Sequence, residues 1–528
     1  MIKKDFLKLW IVGVAVFLIQ CYIFIDHYKE SGVWMTYMLD DAYIHMGVAK
    51  NLAEYLIFSS DGHTISNPSS SPLWTILLTI LYKITPNESF LYVPLVLNFI
   101  FIIGSIYLLS IFIELLFKKY EFYKKAIVLI TLILIVPLFG VMMMGMEHSM
   151  QIFLSLAFTM IVVFRLDKKY LLIVGPLLVL TRYEMGVFVG VVLLTEVLMM
   201  KNNVNKDFLK KRILYYIKVL VVSAAPIVAY GLFTKFVYDI GFFPDSVISK
   251  LTGNDQIINI YRHILVNSVN YNVKVIFFLT FVYIASMFIL FLKSIMALSR
   301  PNQYIVKLIY IAGGMSFFHI LFSGVAPIRY EAYLSPFIVF VIFYFLFRKD
   351  EHMTNICEKS IMSMLLFLFF ISKVLFANIT TYNAPLNIHD QQIQNANFIK
   401  KNNIKAVGLN DLGTISYFTN AMILDLEGLG THKIAKLKEH GEFSPQKVRE
   451  LISQDNVQWV IIYDEWYKDG RYVPNKCIKI GKTKLKKNFI CGDDEVSFYY
   501  CGNNVSYAQL IFDKFKKELK ENTNGRAE

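Results

Sequence analysis

Charge is scarce in this chain. Asp, Glu, Lys and Arg make up only 18% of its 528 residues, whereas 56% are hydrophobic. Soluble domains carry roughly a quarter charged residues. Because the hydrophobic excess lies in separate runs, the composition excludes an ordinary soluble protein and predicts a polytopic α-helical membrane protein. The 44 Phe and 32 Tyr suit lipid-facing surfaces and interfacial belts.

Cysteine is also scarce, with five residues and neither a Cys-x-x-Cys nor a His/Cys metal signature. Cys477, Cys491 and Cys501 lie in the polar C-terminal region, which predicts one disulfide there without fixing its pairing. The first apolar run lacks a small-residue cleavage site, so we expect an uncleaved anchor. No internal repeat is visible.

The net charge of +13 would suggest a nucleic-acid partner in a soluble protein. Here Lys and Arg collect in short loops between apolar runs, as the positive-inside rule requires. We therefore expect membrane lipids and no nucleic acid as partners. With the N-terminus in the cytoplasm, alternate loops are rich and poor in basic residues, which predicts the orientation of the whole chain.

About eleven apolar runs approach the length that crosses a bilayer, roughly 20 residues. They lie near 9–26, 90–116, 126–144, 149–164, 170–181, 185–200, 213–237, 274–292, 305–323, 332–347 and 360–376. The run 72–84 is too short to span and is expected to lie along the interface. These runs define a transmembrane module, 1–376, whose first outer loop is 27–89.

The character of the chain changes from about residue 377. Residues 406–413 resemble a strand followed by a turn, and 457–463 and 496–500 are further strand candidates. Helical patterns at 388–401 and 445–454 lie before or between them. The alternation predicts a C-terminal α/β domain, 377–528, on the outer side. The charged tail from Lys514 is expected to be frayed.

The most informative residues are two adjacent carboxylates, Asp40 and Asp41, just beyond the first apolar run. They begin a pattern typical of an amphipathic helix, with the apolar residues Ile44, Val48 and Leu52 at four-residue spacing. Asp40 could simply cap that helix, since Asp is a preferred N-cap residue. A cap accounts for one carboxylate and not for two. The other reading is a general base that acts on a substrate hydroxyl at the membrane surface.

Other unusual polar segments fall on the same predicted outer side. Arg182 and Glu184 are flanked closely by apolar helix, and ionisable groups at membrane depth are functional candidates. Arg182 suits a phosphate but could instead pair with Glu147. Trp74 could line a sugar site or be an ordinary interfacial Trp. Lys250 could contact phosphate or be solvated.

These segments, in this order, resemble the GT-C type membrane glycosyltransferases, in particular the bacterial family that includes mycobacterial terminal arabinofuranosyltransferases. The matching motifs are Asp-Asp-Ala at 40–42, Ala-x-Asn-Leu at 49–52, Pro-Leu-Trp at 72–74, Gly-Met-Glu at 145–147, Arg-Tyr-Glu at 182–184, Phe-Pro-Asp-Ser at 243–246, Asn-Asp-Leu-Gly at 410–413 and Asp-Leu-Glu-Gly-Leu at 425–429. The middle position of Arg-Tyr-Glu and the looser segment at 243–250 depart from the family pattern, so arabinose is not carried over.

The resemblance implies an inverting transferase of the bacterial cytoplasmic membrane that acts on its outer face. The donor would be a polyprenyl-phosphate sugar, and the acceptor a hydroxyl of a glycan, glycolipid or glycoprotein. One of the two first-loop carboxylates is expected to be the base: Asp40 is preferred, with Asp41 orienting or binding substrate, although the sequence does not separate the two roles. Residues expected at the donor phosphate are Arg182, Arg329, Lys250 and His148. Residues expected to contact substrate are Glu147, Glu184, Tyr183, Trp74, Asn67 and Asp245. No cofactor is required, and a divalent metal is conceivable.

Two other classes of protein compete with this reading. A glycan polymerase or ligase also uses lipid-linked glycans, but it needs no paired first-loop Asp. A transporter would place charges at mid-membrane in broken helices and often has an internal repeat. Here the charges crowd the outer boundary, which favours the transferase.

Overall fold

The computed structural model describes residues 4–85, 88–200, 206–245, 302–322, 329–347 and 356–524. Within these ranges the protein is mostly helical and ends in a small sheet domain. Among the described residues, four helices are long and apolar enough to cross a membrane, namely Asp5–Glu30, Ser89–Leu116, Phe122–Met143 and Lys206–Val237. Membrane association is thus supported by helix length and composition, and the count of about eleven spans stays a prediction.

The other helices before the sheet are mostly shorter. They are Asp41–Tyr55, Pro72–Ile84, His148–Val163, Leu171–Thr181, Met185–Leu198, Gln303–Phe322, Ser335–Phe347 and Ile356–Asn387. Each predicted span within the described residues overlaps a helix, and the predicted span at 274–292 lies outside them. The apolar run 72–84 forms the helix Pro72–Ile84, and its position along the membrane interface stays a prediction. The last helix crosses the predicted domain boundary at 376 and ends eleven residues later, at Asn387.

Aromatic pairs join the helices to one another. Phe112 stacks on Phe340 with ring centroids 5.5 Å apart, and Phe188 meets the edge of Tyr333 at 5.6 Å. Such pairs contribute about 0.5–1.5 kcal/mol beyond their buried area. Because lipid tails are as apolar as the helices, packing of this kind fixes which helices associate in a bilayer.

The C-terminal domain contains a five-stranded sheet in the order β2-β1-β3-β5-β4. The strands are β1 Ala406–Leu409, β2 Met422–Asp425, β3 Trp459–Ile462, β4 Ile478–Lys484 and β5 Glu495–Tyr500, and the helices are Gln394–Lys401, Gly413–Phe418, His432–Glu439, Pro445–Gln454 and Val505–Asn524. β1 runs parallel to β2 and β3, whereas β5 is antiparallel to β3 and β4. In such sheets the crevice for ligands lies at the carboxyl ends of the strands where the connections diverge. Here that point is between β1 and β3.

Three predicted strands and both predicted helices of this domain are confirmed, and β2 and β4 were not predicted. The expectation of a frayed tail from Lys514 is wrong over 514–524, because Val505–Asn524 is a helix, and 525–528 lie outside the described residues. Its Phe512 and Phe515 are buried and pack against Phe498 of β5. Burial of its apolar face therefore stabilises this helix, although its other face is charged.

The helix Asp41–Tyr55, called the loop helix below, joins the helical part to the C-terminal domain. The predicted apolar stripe of this helix, Ile44, Val48 and Leu52, packs into the core of the C-terminal domain. On the same helix Gly47 lies against Ser416 of the short helix Gly413–Phe418, called the docking helix below. A side chain at position 47 would collide there, so glycine permits the close crossing.

The predicted disulfide joins Cys477 to Cys501 and leaves Cys491 free. It ties the segment before β4 to the end of β5. We expect Cys477→Ser to lower the unfolding free energy of the C-terminal domain by about 2–4 kcal/mol, because the unfolded chain gains freedom. Urea unfolding of the full chain, followed by hydrogen exchange of 459–500, measures this. Cys491→Ser is the matched control, and an equal loss in both variants would contradict the assignment.

Candidate functional site

The two carboxylates of the first outer loop point to different parts of the molecule. Asp40 accepts hydrogen bonds from the backbone N–H groups of Gly413, at 2.6 Å, and Thr414, at 2.9 Å. It makes no side-chain cap on its own helix. The capping alternative is therefore wrong for the loop helix, because Asp40 caps the docking helix 373 residues away.

Asp41 faces the opposite way and forms an ion pair with Arg329. Its side chain keeps 35% of its surface exposed, whereas that of Arg329 keeps 18%. The guanidinium carbons of Arg329 and Arg182 each lie 5.1 Å from the ring centre of Tyr330. Two cations thus lie within cation–π distance of one tyrosine ring, and one of them pairs with a carboxylate that solvent can reach.

Arg182 is clamped by two carboxylates. Its Nη1 donates to Glu147 at 2.8 Å, and its Nε donates to Glu184. Glu147 is fully buried, and a buried carboxylate needs such a partner. The sequence left open whether Arg182 meets phosphate or Glu147, and the ion pair with Glu147 is confirmed.

His148 and the next three residues form the first turn of the helix His148–Val163 and leave several buried polar atoms unsatisfied. His148 Nδ1 lies 3.2 Å from Gln151 Oε1. Among the described residues, no hydrogen-bond partner is found for His148 Nε2, Ser149 Oγ, Gln151 Nε2 or Arg329 Nε, all of them buried. The last of these belongs to the arginine that pairs with Asp41. Buried polar atoms without a partner call for an explanation such as a ligand or water.

His45 also belongs to this site, and sequence reasoning did not single it out. Its Nε2 lies 3.6 Å from Glu147 Oε2, and Ser69 Oγ and Thr75 Oγ1 lie 3.2 and 3.4 Å from its Nδ1. The available signal was its spacing, because a residue four positions after Asp41 shares its helix face. The set Asp41, His45, Glu147, His148, Arg182, Glu184, Arg329 and Tyr330 is called the outer cluster below.

Asn67 and Asp245 lie elsewhere and bind each other. Asp245 Oδ2 accepts from the Asn67 N–H at 2.9 Å, and the Asp245 N–H donates to the Asn67 carbonyl at 3.0 Å. His432 Nδ1 lies 2.6 Å from Asp245 Oδ1. Both residues are buried, so this contact holds the first outer loop, the segment before 246 and the C-terminal domain together.

The remaining predicted site residues are Trp74, Tyr183 and Lys250. Trp74 is fully buried, so the interfacial alternative is wrong. Its N–H donates to Ser71 Oγ at 3.4 Å, and Ser71 thereby caps the helix Pro72–Ile84. Tyr183 has a buried hydroxyl without a partner among the described residues. Lys250 lies outside the described residues.

A second polar group fills the crevice between β1 and β3. Gln392 Nε2 donates to Asp411 Oδ2 at 2.6 Å, and the Tyr463 hydroxyl donates to the same carboxylate. Burial, together with the charge of Asp411, raises the pKa of Asp40 above its usual range. Burial likewise raises the pKa of Asp411. The cavity here is only about 10 Å³, too small for a sugar.

Raised carboxyl pKa values make the docking of the C-terminal domain depend on pH. The folded state binds more protons than the unfolded state above pH ~4, so stability falls as pH rises through the raised pKa values. We expect the melting temperature of the full chain to decrease from pH 5 to pH 8.5, and Asp411→Asn to flatten that slope. Asp513→Asn, at an exposed carboxylate, is the control. An unchanged slope in Asp411→Asn would contradict the coupling.

Among the described residues, no group of three or more His, Cys, Asp or Glu side chains is arranged to hold a metal ion. The carboxylates of Asp41 and Glu147 are paired with guanidinium groups. The divalent metal that the sequence makes conceivable stays a prediction.

Residues 384–499 match a family model described as "Domain of unknown function (DUF8728)". The match starts in the last turn of the helix Ile356–Asn387 and ends in β5, so it covers most of the C-terminal domain. No curated protein matches the chain. The match thus agrees with a separate C-terminal domain, and the description of the family names no activity.

Proposed function

We propose that this protein is an inverting GT-C type glycosyltransferase that takes a sugar from a polyprenyl-phosphate donor at the outer face of the bacterial cytoplasmic membrane. The observation that carries the proposal is the outer cluster. It brings an accessible carboxylate, two arginines and several unsatisfied buried polar atoms together from four separate segments. The acceptor is a hydroxyl of a cell-envelope glycan, glycolipid or glycoprotein.

Asp41, rather than Asp40, is the better candidate for the base. Both oxygens of Asp40 already accept backbone hydrogen bonds from the docking helix. Asp41 instead lies partly exposed beside the cations. In the proposed step the acceptor oxygen bonds to the anomeric carbon and its proton goes to Asp41. The bond from that carbon to the phosphate oxygen breaks on the opposite face, and its electron pair leaves with the phosphate.

The leaving phosphate would be received by Arg329 Nε and by the start of the helix His148–Val163. Both supply donors that lack partners among the described residues. A helix N-terminus favours an anion through its free N–H groups and its dipole. Arg182, held by two carboxylates, would add positive charge nearby without binding the phosphate bidentately.

The proposed topology has about eleven spans, a cytoplasmic N-terminus and an outer C-terminal domain. Ion pairs support the alternation. Lys125 pairs with Glu114 across the short loop between their helices, at 2.7 Å, and with Asp5 of the N-terminal helix, at 3.3 Å. Arg212 and Lys307, from two other loops predicted to be cytoplasmic, both pair with Glu196. Two basic residues assigned to the cytoplasmic side thus pair with the same glutamate, as expected if their loops lie on one side of the membrane.

Polyprenyl phosphate is the product of every such donor, so its binding tests the proposal before the sugar is known. We expect the purified full chain to retain undecaprenyl phosphate in native mass spectrometry at least tenfold better than undecaprenol. Arg329→Gln should reduce this preference, because it removes the unpartnered Nε donor. Lys479→Gln, at an exposed lysine of β4, is the control. Equal retention of phosphate and alcohol by the wild-type protein would contradict a lipid-phosphate donor.

A further inference from the structure

A second concave surface lies away from the outer cluster. A cleft of about 1150 Å³ separates the C-terminal domain from the ends of two long helices. One wall contains His27 and Glu30 of the N-terminal helix together with Tyr382 and Asn387 of the helix Ile356–Asn387. The other wall contains β4, the turn after it and the last helix. Six lysines line this lysine cleft, namely Lys482, Lys484, Lys486, Lys487, Lys516 and Lys520.

The lysine cleft has a surplus of positive charge. Among the described residues, only three acidic residues line it, Glu30, Asp390 and Glu495. Within the described part of the chain, Lys486, Lys487 and Lys516 form no ion pair, and all three are exposed. Like charges gathered in a concave surface repel one another, so a bound anion would stabilise the arrangement.

The position of the cleft indicates which anion. The N-terminal helix is a candidate membrane span that ends at Glu30, and the cleft begins at that end. Lipid headgroups lie where a span leaves the hydrocarbon core, and each lysine close to that level attracts the charge of an anionic headgroup. We propose that the lysine cleft binds the phosphate of an anionic phospholipid and so holds the C-terminal domain against the membrane surface.

The proposal does not depend on glycosyl transfer and is tested with the full chain. Native mass spectrometry from detergent would compare retained phosphatidylglycerol with retained phosphatidylcholine. We expect a preference for phosphatidylglycerol of about fivefold or more. The triple variant Lys486→Gln/Lys487→Gln/Lys516→Gln should lose most of it. The matched control, Lys436→Gln/Lys447→Gln/Lys468→Gln, changes three exposed lysines of the same domain outside the cleft and should keep it.

Two results would overturn the proposal. One is equal retention of phosphatidylglycerol by the triple variant and the wild-type protein. The other is a wild-type protein that does not prefer phosphatidylglycerol but binds a soluble poly(glycerol phosphate) probe that the triple variant does not bind, because the cleft would then serve an acidic polymer. Melting temperatures of both variants near that of the wild type ensure that the lipid signal reports the cleft and not unfolding.

Discussion

Asp41→Asn is expected to lower sugar transfer by about 10²- to 10⁴-fold, the usual contribution of a general base. Asn keeps the size of the side chain but cannot take the acceptor proton. It also releases Arg329 from its ion pair, so retention of undecaprenyl phosphate should be kept or increased. Transfer is measured as undecaprenyl phosphate released from a panel of undecaprenyl-phosphate monosaccharides in the presence of cell-envelope acceptor.

Asp40→Asn is the matched control for this experiment. Its amide oxygen can still accept one of the two backbone hydrogen bonds from the docking helix, so a smaller loss of transfer is expected. If Asp40→Asn instead abolishes transfer while the C-terminal domain stays docked, and Asp41→Asn retains it, Asp40 is the base. Docking is checked in both variants by hydrogen exchange of 413–418.

Gly47→Ala is expected to weaken the docking of the C-terminal domain and to reduce transfer with it. A Cβ atom at this position would lie 1.9 Å from Ser416 Oγ, 2.9 Å from its Cβ and 3.0 Å from its backbone carbon. Side-chain rotation relieves only the first of these contacts, so the two helices must separate. Overpacking of this kind costs about 1–3 kcal/mol. The readout is increased hydrogen exchange in the docking helix.

Gly190→Ala provides the matched control. Its Cβ would have no atom within 4 Å, and the residue also lies inside a helix, Met185–Leu198. Alanine favours helix over glycine by up to about 1 kcal/mol, so this variant should be neutral or stabilising. If both variants behave alike, the close crossing at Gly47 does not hold the domain.

Periodic patterns predicted the helices and several strands well. The loop helix was visible from Ile44, Val48 and Leu52, and β3 from its apolar run. β4 was missed because lysines alternate with other residues along it, and its burial is mostly low. A charged strand at a sheet edge is common, since charge deters edge-to-edge pairing, but it carries little hydrophobic signal.

The candidate site was predicted in part. Residues near membrane boundaries, such as Arg182 and Glu147, were marked by their charge in an apolar setting. The different partners of Asp40 and Asp41 could not be predicted. The partner of Asp40 lies 373 residues away, and adjacency in the sequence does not show which way each side chain points. The mutual binding of Asn67 and Asp245 is equally long-range, and each residue alone resembles a substrate contact.

The most direct test of the account is a cryo-electron microscopy structure of the full chain with undecaprenyl phosphate. The account predicts lipid density that enters from the outer leaflet and ends in a phosphate within hydrogen-bond distance of Arg329 Nε and His148 Nε2, with Asp41 facing the adjacent space. Phosphate density found elsewhere, or a saturated sample with none at the outer cluster, would contradict it.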